Sequence, residues 1–226
     1  MHFEELLNLM DVLLGENGCA WDREQTHESL RQYMLEECYE AIDAINNKDS
    51  AALCEEIGDV LLQVVFHAKI AEKSGAFTIN DVIKSISQKL ISRHTHVFGT
   101  DSAQKGEDVK KIWEANKEKE RNGSVCDAMI SVPKALPALV RASKVLKRSK
   151  QNLPDADQLI SEIRTKLEQS VTQDEEFGEI MLSLVALANI LDINAEFSLT
   201  NAIEAFINTF RKEFPVNGTG FNLKED

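Results

Sequence analysis

Long stretches of the chain place apolar residues every three or four positions, and sustained alternation of apolar and polar residues is rare. The three-to-four period is typical of amphipathic α-helices, because residues three and four apart lie on one face of a helix. Only four prolines and ten glycines interrupt the 226 residues. The pattern therefore predicts an all-α protein with a helix-bundle architecture.

Capping and turn residues divide this pattern into nine predicted helices. Thr26 and Thr78 are the expected N-caps of the second and fourth helices, and Gly75 is expected to end the third. The segments GENGCAWDREQT and HTHVFGTDSAQKGED are rich in turn residues and are predicted as loops. The predicted helices span residues 2–14, 27–46, 51–74, 79–93, 109–120, 138–149, 157–171, 175–191 and 199–214.

The second half of the sequence repeats part of the first. EEIGDVLLQVVFHAKI at 55–70 aligns with EEFGEIMLSLVALANI at 175–190. Both segments have paired acids, a glycine, a further acid and then an apolar run. This similarity predicts two tandem copies of one helical unit, an N-terminal repeat over 1–122 and a C-terminal repeat over 123–226.

The net charge of −13 argues against polyanionic partners such as nucleic acids and anionic membranes. Broad nucleic-acid binding needs a basic surface, and so does binding to anionic membranes, so neither is expected. A small anionic ligand remains possible, because a metal ion can reverse the sign of a site. The acidic N-terminus, the short apolar runs and four cysteines without a CxxC pair predict a cytoplasmic protein with reduced thiols.

Five acidic residues form the main candidate for chemistry. Glu36, Glu37 and Glu40 lie in the stretch LEECYEAIDAI, at about 0°, 100° and 40° around one helix axis. Glu56 and Asp59 follow on the next predicted helix, about 60° apart. Only 15 residues separate Glu40 from Glu56, so an antiparallel helix pair is expected to bring the two groups face to face.

Several carboxylates around one space need compensation, and a hard divalent cation such as Mg²⁺ provides it. One alternative is that these acids only coat a solvent-facing surface. Another is a ferritin-like dimetal centre, which takes a Glu-x-x-His motif from each of two helices. The chain has one such match, Glu24–His27, in a predicted loop, and His67 lies two turns beyond Asp59. Imidazole is therefore not expected where iron would need it.

Four segments resemble the signatures of the MazG family of nucleoside triphosphate pyrophosphohydrolases. They are CAWDREQTHESLRQYMLEECYEAIDAI, EEIGDVLLQVVFHAKIAEKSGAF, KLISRHTHVFG and KKIWEANKEKER, and the resemblance covers nearly the whole chain. It implies tandem MazG-like repeats and a Mg²⁺-dependent enzyme that cleaves ribo- and deoxynucleoside triphosphates between the α and β phosphates. The implied products are a nucleoside monophosphate and pyrophosphate, and the implied assembly is a homodimer.

The resemblance also assigns roles to the acidic residues. Glu37, Glu40, Glu56 and Asp59 match the metal-binding positions of the family. Glu36 matches the first acid of the family's EExxE pattern. Either Glu36 or Glu37 is expected to orient or deprotonate the attacking water.

The same resemblance assigns substrate contacts. Lys89 and Arg93, four residues apart, match a basic pair that contacts the phosphates, and Trp113 matches a tryptophan that borders the nucleotide. Without the resemblance, such a basic pair is usually a solvated helix face and such a tryptophan usually packs in a core. Trp21 and Asp22 lie in a matching loop, either to contact the nucleotide or to anchor the loop.

The C-terminal repeat departs from the family pattern. Its ExxD pair is replaced conservatively, by Glu176 and Glu179, but the other site positions are mostly lost, and only Glu162 keeps an acid. The residues aligned with the EExxE acids and with the basic pair are Ser161, Glu162, Thr165, Ala205 and Thr209. We therefore expect the C-terminal repeat to be catalytically silent and to serve packing or dimerisation.

Three functions are compatible with the sequence. The first is the pyrophosphohydrolase, which would clear noncanonical or excess nucleotides. The second is a regulatory protein that binds nucleotide and Mg²⁺ without turnover, and the third is a helical scaffold. The intact acidic set, together with Lys89, Arg93 and Trp113, favours the enzyme.

Overall fold

The computed structural model describes residues 2–103, 105–120, 124–149, 154–168 and 173–213. All regular secondary structure in these ranges is helical, which confirms the predicted all-α class. The helices found there are α1 (Phe3–Leu13), α2 (Ala20–Glu24), α3 (Arg31–Asn47), α4 (Ser50–Lys73), α5 (Ile79–Arg93), α6 (Thr95–Phe98), α7 (Gly106–Lys119), α8 (Val125–Ile130), α9 (Ala138–Ser149), α10 (Ala156–Glu168), α11 (Asp174–Ile190) and α12 (Ala195–Glu213).

The chain divides after Glu118 into two compact units. The first holds α1 to α6 and almost all of α7, and the second holds α8 to α12. This division lies four residues before the boundary expected after residue 122. Whether the two units are copies of one repeat stays a prediction.

The first unit is built around α4. Helix α3 packs along α4, and α1 and α5 also contact α4. The buried core gathers on the C-terminal half of α4, with Val65 fully buried, and consists of Met10, Leu14, Leu30, Val65, Phe66, Ala68 and Ile79. The N-terminal half of α4, which carries the acidic residues, is left partly exposed.

Local signals fix the turns that connect these helices. Lys48 ends α3 in the left-handed conformation, with φ 56°, and the Asp49 carboxylate accepts hydrogen bonds from two backbone N–H groups at the start of α4. Gly75, with φ 71°, follows α4. Thr78 and Asp81 then form a capping box at the start of α5. The expected roles of Gly75 and Thr78 are thus confirmed.

The predicted start of the second helix is wrong. Helix α3 begins at Arg31, not near His27. Thr26 instead accepts a hydrogen bond from the backbone N–H of Ser29 through its Oγ1, and the Ser29 hydroxyl donates to the Thr26 carbonyl. Thr26 thus caps a turn over residues 27–30 that precedes α3.

Three short helices lie in segments that the sequence pattern assigns to loops or leaves unassigned. They are α2, α6 and α8, of five, four and six residues. Elements this short have too few residues to show a helical period. Helix α7 also begins earlier than predicted, at Gly106 instead of Val109.

In the second unit, α11 packs on both α9 and α10. Its core consists of Leu159, Ile163, Ile180 and Ala186. Helix α12 begins at Ala195, four residues earlier than predicted, because the Asn194 side chain caps it by accepting from the Phe197 N–H. The predicted helix ends at residues 171 and 214 lie outside the described residues.

Within the described ranges, no single helix combines the length and apolar character that crossing a membrane requires. Helices α11 and α12, bent by 105° relative to each other, meet these two criteria only as a pair.

Candidate active site

The first unit gathers three carboxylates from α3 and α4. Oxygen atoms of Glu37, Glu56 and Asp59 all lie within 4.8 Å of one another, and each side chain is partly exposed. The turn at Lys48 and Asp49 reverses the chain, so that the two helices pack side by side and their acidic faces meet. The expected approach of α3 and α4 is therefore present.

Two carboxylates of this group, those of Glu37 and Glu56, have raised pKa values. Loss of surrounding water raises the pKa of Glu37, and the charges of Asp59, Glu40 and Glu36 raise it further. Loss of water also raises the pKa of Glu56, and so do the charge and a hydrogen bond of Glu40. A cation among these oxygens would remove the repulsion, since it favours the ionised form of each carboxylate.

Glu40 and Glu36 lie beside the group of three, not within it. Glu40 is in hydrogen-bond contact with Glu56, which extends the acidic surface along α3. Glu36 is exposed, and its Oε1 accepts a 2.7 Å hydrogen bond from Gln32. Its charge still acts on Glu37.

The donor atoms suit a hard ion. All the atoms that converge here are carboxylate oxygens, the ligand type that Mg²⁺ prefers. His67 lies eight residues beyond Asp59, about 12 Å along the helix axis, and its Nδ1 is 2.8 Å from Nδ1 of His27. Because the two imidazoles bond to each other, the arrangement does not fit a ferritin-like centre, as the sequence also indicated.

Of the two basic candidates, Arg93 meets Trp113 of α7. The Arg93 guanidinium carbon is 5.4 Å from the Trp113 ring centroid, and the Lys117 Nζ is 4.4 Å from it. Lys89 is exposed one turn before Arg93 on α5. Sequence reasoning missed Lys117, although its position four residues after Trp113 was a usable signal, because such residues are neighbours on a helix surface.

A buried hydrogen bond holds α7 near the end of α5. Asn116, 8% exposed, donates from Nδ2 to the Thr95 hydroxyl at 2.8 Å. Thr95 in turn donates to Asp101. Because Asn116 lies between Trp113 and Lys117 on the same side of the helix, this bond fixes the part of α7 that meets Arg93.

Trp21 packs against α3 beside the acidic face. Its ring meets the ring of Tyr33 edge to face, with centroids 5.8 Å apart, and Tyr33 lies one turn before Glu37. The Trp21 side chain remains 51% exposed. Both roles that the sequence left open, loop anchoring and nucleotide contact, are compatible with this position.

The second unit lacks an equivalent carboxylate group among its described residues. Glu179, which aligns with Asp59, forms an ion pair with Lys166 of α10 at 3.2 Å. The carboxylate of Glu179 thus lies beside a lysine, whereas that of Asp59 lies beside other carboxylates.

The chain is similar to several known proteins. The profile of the MazG nucleotide pyrophosphohydrolase domain matches residues 25–98. The nucleoside triphosphate pyrophosphohydrolase/pyrophosphatase MazG of Thermotoga maritima is 40% identical over 233 residues, covering 99% of this chain and 90% of that protein. The nucleoside triphosphate pyrophosphohydrolase of Escherichia coli K12 is 37% identical, with 92% and 86% covered. The crystal structure of a MazG-related protein from Thermotoga maritima, 27% identical, matches 51% of this chain and 98% of its own with a TM-score of 0.44.

Proposed function

The chain belongs to the MazG family of nucleotide pyrophosphohydrolases, and on that premise we propose that it is a Mg²⁺-dependent enzyme that cleaves nucleoside triphosphates between the α and β phosphates. The products are a nucleoside monophosphate and pyrophosphate. The convergence of Glu37, Glu56 and Asp59 carries this proposal. A triphosphate cannot approach these carboxylates unless a cation lies between them, and a Mg²⁺–triphosphate complex supplies that cation.

Glu37, Glu40, Glu56 and Asp59 are the residues that would hold Mg²⁺. Bound there, the ion would screen the phosphate charges and polarise a phosphoryl oxygen. By holding the ion in one place, the four carboxylates would orient the bound triphosphate for in-line attack by water.

Of the two candidate bases, Glu36 is the better choice to orient and deprotonate the attacking water. Its carboxylate is outside the group of three and so keeps its lone pairs available. The hydrogen bond from Gln32 holds one carboxylate oxygen in place and leaves the other free to accept the proton. Glu37 then acts as a metal ligand.

The basic residues of α5 and α7 are suited to bind the phosphates that the metal site does not hold. Lys89, Arg93 and Lys117 stabilise the charge that develops on the departing pyrophosphate. Trp113, flanked by Arg93 and Lys117, borders the nucleotide at this end of the site. The sequence supplied Lys89, Arg93 and Trp113, and the structure adds Lys117.

We place the activity in a homodimer in the cytoplasm, where it would clear noncanonical or excess nucleotides. Helix α5 exposes an apolar face at one-turn spacing, and such a face favours contact with a second copy. Its members Ile83, Ile86 and Leu90 are 43%, 51% and 49% exposed. The four free cysteines suit a reducing compartment.

The decisive experiment measures pyrophosphate and monophosphate release from a panel of ribo-, deoxy- and modified triphosphates, with Mg²⁺ and with a chelator. We expect equal amounts of both products and no release without the metal. Glu40→Gln should abolish turnover while the far-ultraviolet circular dichroism stays unchanged, because it removes a ligand and no core contact. Nucleotide binding without release would instead favour the regulatory protein.

A further inference from the structure

Gln63, on α4, is a polar side chain that is buried although part of its amide is not hydrogen-bonded to any described residue. It is 7% exposed, and its Oε1 has no hydrogen-bond partner within the described part of the chain. Buried polar groups are nearly always hydrogen-bonded, because leaving one unpaired destabilises the folded state. A well-packed apolar residue would serve the core better, so the amide calls for a role other than packing.

Gln63 lies on the acidic face of α4. It follows Asp59 by four residues and Glu56 by seven, and these spacings place all three side chains on one side of the helix. One turn, about 6 Å, separates Gln63 from Asp59. The amide is therefore at the end of the carboxylate group that points toward the buried half of α4.

The antiparallel register of α3 and α4 places an aromatic residue opposite this amide. Glu37 lies beside Asp59, so one further turn brings Tyr33 of α3 to the level of Gln63. The Trp21 ring packs edge to face on Tyr33. One end of the acidic site thus combines a buried amide with two aromatic rings.

We propose that Gln63 recognises the nucleoside part of the bound triphosphate, by hydrogen bonding to the base edge or to a sugar hydroxyl. The proposal rests on the proposed function, which positions the phosphates at the carboxylates. An amide both donates and accepts, so it can read the polar edge of a nucleoside. The neighbouring rings of Tyr33 and Trp21 suit a flat base.

The test replaces Gln63 by methionine, which has a similar length and an apolar end. Leu62→Met is the matched control, since Leu62 packs against the same core and lies about 100° from Gln63 around the helix axis. Three quantities are measured on the full chain: the melting temperature without nucleotide, kcat and KM across the triphosphate panel, and the affinity for α,β-methylene triphosphates with Mg²⁺. The non-hydrolysable analogues report binding independently of turnover.

For Gln63→Met we expect an unchanged or higher melting temperature and about a tenfold rise in KM and in the analogue Kd, as for the loss of one hydrogen bond to a buried group. The differences in kcat/KM among the triphosphates should become smaller. The kcat values should change less than the KM values. A change in the base ranking assigns the contact to the base, and a change in the ribo-to-deoxy ratio assigns it to the sugar.

The contrary outcomes are distinct. Wild-type KM, Kd and ranking in Gln63→Met would overturn the inference, and a lower melting temperature with unchanged kinetics would show a purely structural role. If the wild type binds the analogues but releases no pyrophosphate, the proposed function fails while the Kd comparison still decides the role of Gln63. If the wild type binds no nucleotide, both fail.

Discussion

Loss of surrounding water raises the pKa of Glu56, and its three carboxylate neighbours, Glu40, Glu37 and Asp59, raise it further. A group whose pKa is raised above 4.5 on folding stabilises the protein fully below that pH. Its contribution is lost as the pH rises through the pKa of the folded state. At neutral pH, the metal-free protein therefore carries an electrostatic cost at this residue.

The Glu56→Gln variant tests that cost. Without divalent cations at neutral pH, we expect its melting temperature to be higher than that of the wild type, because one repelling charge is gone. Added Mg²⁺ should raise the melting temperature of the wild type much more than that of the variant, because binding to the native state stabilises it. Differential scanning fluorimetry with and without Mg²⁺ measures both effects.

Glu55→Gln is the matched control, since Glu55 is exposed on the adjoining position of α4 and is not part of the carboxylate group. It should keep the Mg²⁺-induced rise. An equal rise in the wild type and Glu56→Gln would contradict the assignment of Glu56 as a ligand.

Some residues of the candidate site could be predicted from the sequence, and others could not. Glu37, Glu56 and Asp59 were found from spacing alone, because i, i+3 and i+4 positions share a helix face in any context. Gln63 and Lys117 were missed. Nothing in the sequence distinguishes a buried glutamine from an exposed one, and the cation near Trp113 became apparent only from the ring contact.

At the scale of secondary-structure elements, His27, in the turn before α3, contacts His67 of α4. Nδ1 of His27 and Nδ1 of His67 are 2.8 Å apart, and the ring planes differ by 8°. Parallel rings this close cannot lie face to face, because their planes would be nearer than van der Waals contact. They lie side by side, so that one ring donates an Nδ1–H to the other, and both rings cannot carry that proton at once.

This pair predicts a stability that depends on pH. Burial lowers the pKa of His67 below 6.5, and the charge of His27 lowers it further. The unfolded chain therefore binds more protons than the folded protein in this range, so stability is full above 6.5 and falls as the pH drops below it. Urea unfolding at neutral pH and at a pH about one unit lower should show the loss.

In His67→Gln, the loss between the two pH values should be smaller than in the wild type. His2→Gln is the control, because His2 is exposed before α1 and should leave the pH dependence intact. A pH dependence that persists unchanged in His67→Gln would refute the histidine pair as its origin.

At the scale of the whole molecule, the two units differ in charge at the helix pairs that the sequence alignment predicts to be equivalent. In the first unit, α3 and α4 bring carboxylates together, whereas in the second, Lys166 neutralises Glu179 across α10 and α11. Glu179 therefore already has a positive charge of the protein beside it. This difference agrees with the expectation that only the first unit is catalytic, which stays a prediction.

Aligned substitutions in the two units test the asymmetry. Glu56→Gln should reduce kcat/KM by at least about a hundredfold, since it removes a metal ligand. Glu176→Gln, at the aligned position of α11, should leave kcat/KM within about twofold, as surface substitutions do. Pyrophosphate release is measured for both. A large loss in Glu176→Gln would mean that the second unit takes part in catalysis.

The sequence alone determined the all-α class, the long helices and the acidic face. Helical period and caps such as Thr78 are local properties, which depend only on neighbouring residues. The tertiary structure decided what depends on residues far apart in the chain. It set the register of α3 against α4, the burial of Gln63 and the contact of Arg93 with Trp113, because packing, not local preference, selects which side chains meet.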